Sequence, residues 1–216
     1  MEIERRTPDN TAIVLIDYVT GFANIIGSQT IEENVAGGRA LAQTGLNFGV
    51  PLIVTIGPAK DPRGALYPAI AEVLGEHPIV HRGLAFDCFD DPNFEAAIAA
   101  TGMRHLVIAG LMTDGCVMAT SLSARRRDYE VSLVADATAT YSEAAHNAGL
   151  SRLAHYGVVP TTWLGFAAEL QRTYERTETL AGFRAIQANQ PGYGMFNATL
   201  GNLRAPSAPA GESKSA

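Results

Sequence analysis

The sequence predicts an α/β protein built on a parallel sheet with helices on both faces. Three observations lead there. Short β-branched runs are apolar on both faces instead of alternating, as strands buried on two sides require. These runs alternate with helical segments of ten or more residues. The 216 residues are 47% hydrophobic and 18% charged, enough to fill one ordinary core.

The elements follow in order. Ala12 to Asp17 is a strand ending on a carboxylate, with a loop rich in Gly and Asn behind it. Thr30 with Glu33 three residues on is a capping-box pattern, opening a helix to about Phe48. Pro51 to Ile56 reads as a second strand, Pro58 to Pro68 as a loop, Ala69 to Leu74 as a short helix and Pro78 to Arg82 as a third strand. Pro92 to Thr101 is helical, His105 to Leu111 a fourth strand and Cys116 to Arg127 a helix. Glu130 to Ala135 is a fifth strand, Ser142 to His155 a helix, Val158 to Pro160 a sixth strand and Leu164 to Tyr174 the last core helix. Residues 187–203, with Tyr193, Phe196 and three glycines, read as an arm suited to a neighbouring subunit. Residues 204–216, rich in Ala, Pro, Ser and Gly, read as a disordered tail, which leaves 1–186 as the domain.

Composition narrows the function classes. The 16 basic and 22 acidic residues give a net charge of -6, which disfavours nucleic acid and anionic membrane as partners. The run Arg125 to Arg127 falls at a helix end, where cations suit the dipole. The charged start has no apolar stretch behind it and no window is long and apolar enough to span a bilayer, so a cytoplasmic location is expected. Cys88 and Cys116 are too few for a disulfide framework and read as free thiols.

In an open parallel sheet, ligands bind beyond the carboxyl ends of the strands. Asp17, Arg82 and Cys116 fall at or just beyond three such ends. Leu111 to Cys116 leaves a buried strand, turns through Gly115 and enters a helix, where free backbone N–H groups favour thiolate and can hold an oxyanion. Asp17, after five apolar residues, is the natural base, and Arg82 supplies a fixed positive charge. Cys88 is a weaker candidate nucleophile, and His81 or Lys60 would be the fallback cation. Phe22, Phe86 and Phe89, in the loops after the first and third strands, are expected to line the pocket. No dense set of metal ligands, glycine-rich phosphate loop or Gly-x-Ser-x-Gly elbow is present, so neither metal nor cofactor is expected.

Ala12 to Asp17, Pro78 to Phe89, Val134 to Thr140 and above all Val107 to Val117 (VIAGLMTDGCV) resemble the isochorismatase-like cysteine hydrolases, over about Thr11 to Tyr174. The resemblance implies a three-layer α/β/α fold, strand order 3-2-1-4-5-6, and an aspartate, lysine and cysteine triad. It places these roles on Asp17, Arg82 in the lysine position, and Cys116. It also implies a cis peptide at Leu111-Met112 and an oxyanion hole from the amides of Met112 and Cys116. Two departures stand out: arginine for lysine at Arg82, as in one branch of large homo-oligomers, and Val19 for the usual glutamine. The Asp and His metal cluster of nicotinamidases has no counterpart after the second strand. The resulting expectation is a homo-oligomer that cleaves a C–N bond in a small amide or carbamoyl compound through a thioester. The alternatives are a non-covalent enol-ether hydrolase using Asp17, or a catalytically silent scaffold.

Overall fold

The computed structural model describes residues 4–190 and 192–204. Six parallel strands form one sheet: β1 (Thr11–Ile16), β2 (Leu52–Ile56), β3 (Ile79–His81), β4 (His105–Gly110), β5 (Glu130–Val134) and β6 (Val159–Thr161), in the order β3-β2-β1-β4-β5-β6. β1 lies at the centre, paired with β2 from Ile13↔Leu52 and with β4 through Ile16↔Gly110, so all six of its residues are buried. That position explains why its sequence is apolar throughout, whereas three-residue β3 and β6 close the edges.

The side chains of β1 sort the two outer layers by parity. Ile13 and Leu15 face α1 (Ile31–Phe48), α2 (Pro68–Leu74), α6 (Trp163–Gln171) and α7 (Thr177–Gln187), which contribute Leu41, Ile70, Phe166 and Phe183. Ala12, Val14 and Ile16 face α3 (Pro92–Thr101), α4 (Met118–Arg126) and α5 (Glu143–His155), which contribute Phe94, Ala124 and Leu153. The three-layer architecture expected from the sequence is therefore present. The capping box also forms: Glu33 N–H donates to Thr30 Oγ1 at 3.2 Å and Thr30 N–H to Glu33 Oε2 at 2.9 Å.

The structure extends the sequence reading at the C-terminal end. α6 stops at Gln171, and α7, unassigned in the sequence, buries Phe183 and Ile186 against α1 and α6. Its Leu180, Phe183 and Ile186 spacing is a helical signal set among Ala181, Gly182, Arg184 and Ala185. Within the proposed arm, Tyr193–Arg204 forms α8, with Met195 76% and Phe196 53% exposed. Beyond Arg204, which ends α8, the predicted tail lies outside the described residues. Among the described residues, no helix is long and apolar enough to cross a membrane.

Candidate active site

The strand order reverses between β1 and β4, the two strands whose ends carry Asp17 and the loop to Cys116. Asp17 takes a left-handed backbone conformation (φ 53°), and its N–H donates to Thr55 O at 2.9 Å. Aspartate tolerates that region better than most residues. The turn starts where β1 ends and aims the carboxylate across the sheet rim. On the β4 side, Gly110 (φ 145°) lets the strands touch, because a Cβ there would lie 2.0 Å from Ile16 O. The next peptide, Leu111-Met112, is cis.

Thr113 to Val117 then forms a π-type turn with non-helical angles at Gly115, and α4 starts only at Met118. Cys116 thus sits in this turn, not in the first turn of a regular helix as the sequence suggested. The loop is fastened on its outer side. Thr113 N–H donates to Ala139 O (3.0 Å), Thr113 Oγ1 bonds His146 Nδ1 (2.8 Å), and Thr140 Oγ1 donates to Asp114 Oδ1 (2.6 Å). Among the described residues, the Met112 N–H has no hydrogen-bond acceptor.

Arg82, just past the edge strand β3, reaches over β2. Its Nη2 donates to Asp17 Oδ2, and its Nη1 donates to Ala85 O at 2.8 Å. The site is closed: Asp17, Arg82 and Cys116 are 0%, 4% and 5% exposed. Asp17 Oδ1 is buried and makes no hydrogen bond among the described residues. Burial pushes the Cys116 thiol up to about 11, the neighbouring charge of Asp17 adds to the rise, and Arg82 opposes it. Burial and the Asp17 charge therefore favour the thiol form, opposing the pull toward thiolate expected from a helix start. Burial also raises Cys88, to about 12, and its N–H donates to Thr120 Oγ1 at 3.0 Å.

The other predicted residues divide. Phe22 lies at the site, under the Arg63 guanidinium at 5.4 Å. Phe86 is 71% exposed on the loop after β3. Phe89 is buried in the same core cluster as Cys116. It packs in the core beneath α3 and α4, edge-on to Phe94 (5.1 Å) with Arg127 over its face at 4.6 Å. His81 Nδ1 bonds Gly57 O at 3.0 Å. Sequence reasoning missed Arg63, whose Nη1 lies 3.4 Å from Asp17 Oδ2. Glu4, His105 and Glu130 do come within metal-ligand distance of one another, but at the opposite end of the sheet, where Arg104 already pairs with both carboxylates.

Residues 11–164 match the model of the isochorismatase domain. The chain belongs to the isochorismatase family. Within that family it is 29% identical over 170 residues to YcaC of Escherichia coli (strain K12), covering 79% of this chain and 82% of YcaC. The 1.8 Å crystal structure of the E. coli YcaC gene product, described as an octameric hydrolase of unknown specificity, superposes with a TM-score of 0.87 at 26% identity, covering 94% of this chain and 99% of that one. YcaC from Pseudomonas aeruginosa, solved with hexane-2,5-diol and covalent acrylamide, gives 0.86 at 27% identity, covering 93% and 99%. This isochorismatase-family chain thus shares nearly the whole fold of both proteins.

Proposed function

We propose that this protein is a cysteine hydrolase that cleaves a C–N bond in a small amide or carbamoyl compound through a thioester on Cys116. The observation that carries the reading is the asymmetry of Asp17. One oxygen is held by Arg82, while the other is buried with no hydrogen-bond partner among the described residues, and the Asp17 charge acts on the Cys116 thiol, which burial pushes up to about 11. A carboxylate oxygen left open in a dry site is costly unless it has a proton to take.

Sulfur attacks the carbonyl carbon as its proton passes to Asp17 Oδ1, and the carbonyl π electrons move to oxygen. The amides of Met112 and Cys116 stabilise that oxyanion, and the unpartnered Met112 N–H suits the task. Collapse breaks the C–N bond as Asp17 returns the proton to the leaving nitrogen. Water then adds to the thioester, giving a proton to Asp17, which passes it to sulfur as the S–C bond breaks. Arg82 cannot shuttle protons, and its role is to hold Asp17 and offset its charge.

A covalent acrylamide on the Pseudomonas relative supports a reactive group in this fold. The octameric E. coli relative, together with the exposed Met195 and Phe196, supports a homo-oligomer. The test is intact-protein and peptide mass after incubation with a panel of small amides and carbamoyl compounds. A trapped acyl mass on Cys116, lost in Cys116→Ser, is expected. Turnover of a panel member that persists in Cys116→Ser would overturn the thioester.

A further inference from the structure

We propose that Arg63 is a positioning residue: a second cation, clamped by Asp61, that shares Asp17 Oδ2 with Arg82 and so leaves Oδ1 free as the proton acceptor. The inference rests on the reading of Asp17 as the proton acceptor and adds to it a residue outside the aspartate, arginine and cysteine set.

Arg63 stands on the loop between β2 and α2, a segment with no regular structure of its own. That loop is stitched to the chain leaving Asp17. Thr20 N–H donates to Ala65 O (2.9 Å), Gly21 N–H to Arg63 O (2.6 Å) and Tyr67 N–H to Tyr18 O (2.8 Å), around an antiparallel bridge between Val19 and Leu66. Gly21 fits because a Cβ there would lie 2.3 Å from Arg63 O. The backbone of Arg63 is thus fixed within the same unit that fixes Asp17.

Its side chain is fixed as well. Arg63 Nε donates to Asp61 Oδ1 at 2.9 Å and Nη2 to Asp61 Oδ2 at 2.6 Å, a fork-to-fork pair, and the guanidinium plane rests over Phe22. The Asp61 side chain is almost wholly covered, while Arg63 stays partly open to solvent. Nη1 is what remains to reach Asp17 Oδ2, at 3.4 Å. Arg63 is 25% exposed whereas Arg82 is sealed, which places Arg63 at the mouth and Arg82 at the floor. Both cations meet the same carboxylate oxygen. A carboxylate gripped through one oxygen from two sides cannot exchange its oxygens, so Oδ1 stays free to accept the proton.

Part of the Asp17 charge is also offset by Arg63. Without Arg63 that charge acts more fully on Cys116, holds the thiol proton harder and slows every reaction of the sulfur. The test uses Asp61→Asn/Arg63→Gln, which removes the clamped pair without changing the net charge. The rate of iodoacetamide labelling at Cys116 is read by peptide mass from pH 7 to 10. The expected result is slowing of about threefold or more at pH 8 in the native background and less than about 1.5-fold in an Asp17→Asn background, with Arg63→Lys staying within about twofold of the parent. Equal slowing in both backgrounds would overturn the proposal, since Arg63 would then act directly on sulfur or electrophile. Absence of slowing in the native background would overturn it too. If the double variant does not fold, Arg63→Gln alone is read in the same two backgrounds. Failure of the Asp17 reading itself shows separately, as unchanged labelling in Asp17→Asn alone.

Discussion

Asp17→Asn should speed one reaction of Cys116 and slow another. Asparagine keeps the shape, tolerates the left-handed backbone at φ 53° and can still accept from Arg82. What disappears is a negative charge and a proton acceptor. The Cys116 thiol stands at about 11 against an ordinary 9.0, a rise of about 2, worth about a hundredfold in thiolate near neutral pH. Burial causes the largest part and remains, while the Asp17 part goes and Arg82 is left unopposed. Iodoacetamide labelling of Cys116 at pH 8 should therefore quicken by about tenfold. Hydrolysis should fall by about a hundredfold or more, because neither the attack nor the leaving amine is assisted.

The assay pairs peptide-resolved labelling with release of amine from any amide that the wild-type protein turns over. Removing one partner of a buried ion pair costs about 3–5 kcal/mol, and the retained hydrogen bond should keep this variant near the lower end. Thermal unfolding checks that the compared proteins are folded. Slower labelling in Asp17→Asn would refute the reasoning, because the carboxylate would then be activating the resting thiol instead of holding its proton.

The remaining predictions are shorter. Labelling of Cys116 should rise about tenfold per pH unit from pH 7 to 10 without a plateau, as a thiol at about 11 requires, and a plateau near pH 7 would reveal a standing thiolate. Cys88, fully buried and at about 12, should label more slowly than Cys116 at every pH, and the reverse order would undo the choice of nucleophile. Arg82→Ala should lose about 3–5 kcal/mol in urea unfolding and label more slowly at Cys116, whereas Arg82→Lys should recover most of both. An Arg82→Ala protein as stable and reactive as the parent would count against the ion pair. Truncation after Ala188 removes the exposed Met195 and Phe196 and should lower the mass seen by light scattering, and an unchanged mass would reject the arm as an interface.

What the sequence disclosed depended on how local the cause was. Asp17 announced itself as a carboxylate after an apolar run, and Cys116 as a thiol following a strand and a glycine turn, because strand and turn chemistry operate within a few residues. Parallel strands and their helices were legible for the same reason, while their order came from the family resemblance. Arg63 was invisible because its place depends on pairing between Val19 and Leu66, 47 positions apart by numbering, and its loop reads locally as ordinary solvent-facing chain. The burial of Phe89 was not legible locally, because it follows from the short helical turn at Cys88–Asp90 that turns it into the core cluster shared with Cys116. The environment of the thiol was only partly legible, for a physical reason. A turn rich in N–H groups favours thiolate, but burial and a neighbouring carboxylate, both tertiary, outweigh it.

The charges around the sulfur suggest why such a site should hold its thiol protonated at rest. Asp17 and Asp61 face Arg63 and Arg82, two negative groups against two positive ones, in a linked chain of ion pairs. Removing a cation would bind the thiol proton more tightly, and removing a carboxylate would raise the share of thiolate in the absence of substrate. A standing thiolate meets any electrophile or oxidant that enters. On the proposed mechanism, the proton leaves sulfur only when a carbonyl is docked against it, since S–C bond formation lowers the basicity of sulfur while Oδ1 is free to accept the proton. Reactivity then belongs to the complex with substrate and not to the free protein. The buried, neutral arrangement would reconcile a thiol at about 11 with the nucleophilic role proposed for Cys116 near neutral pH.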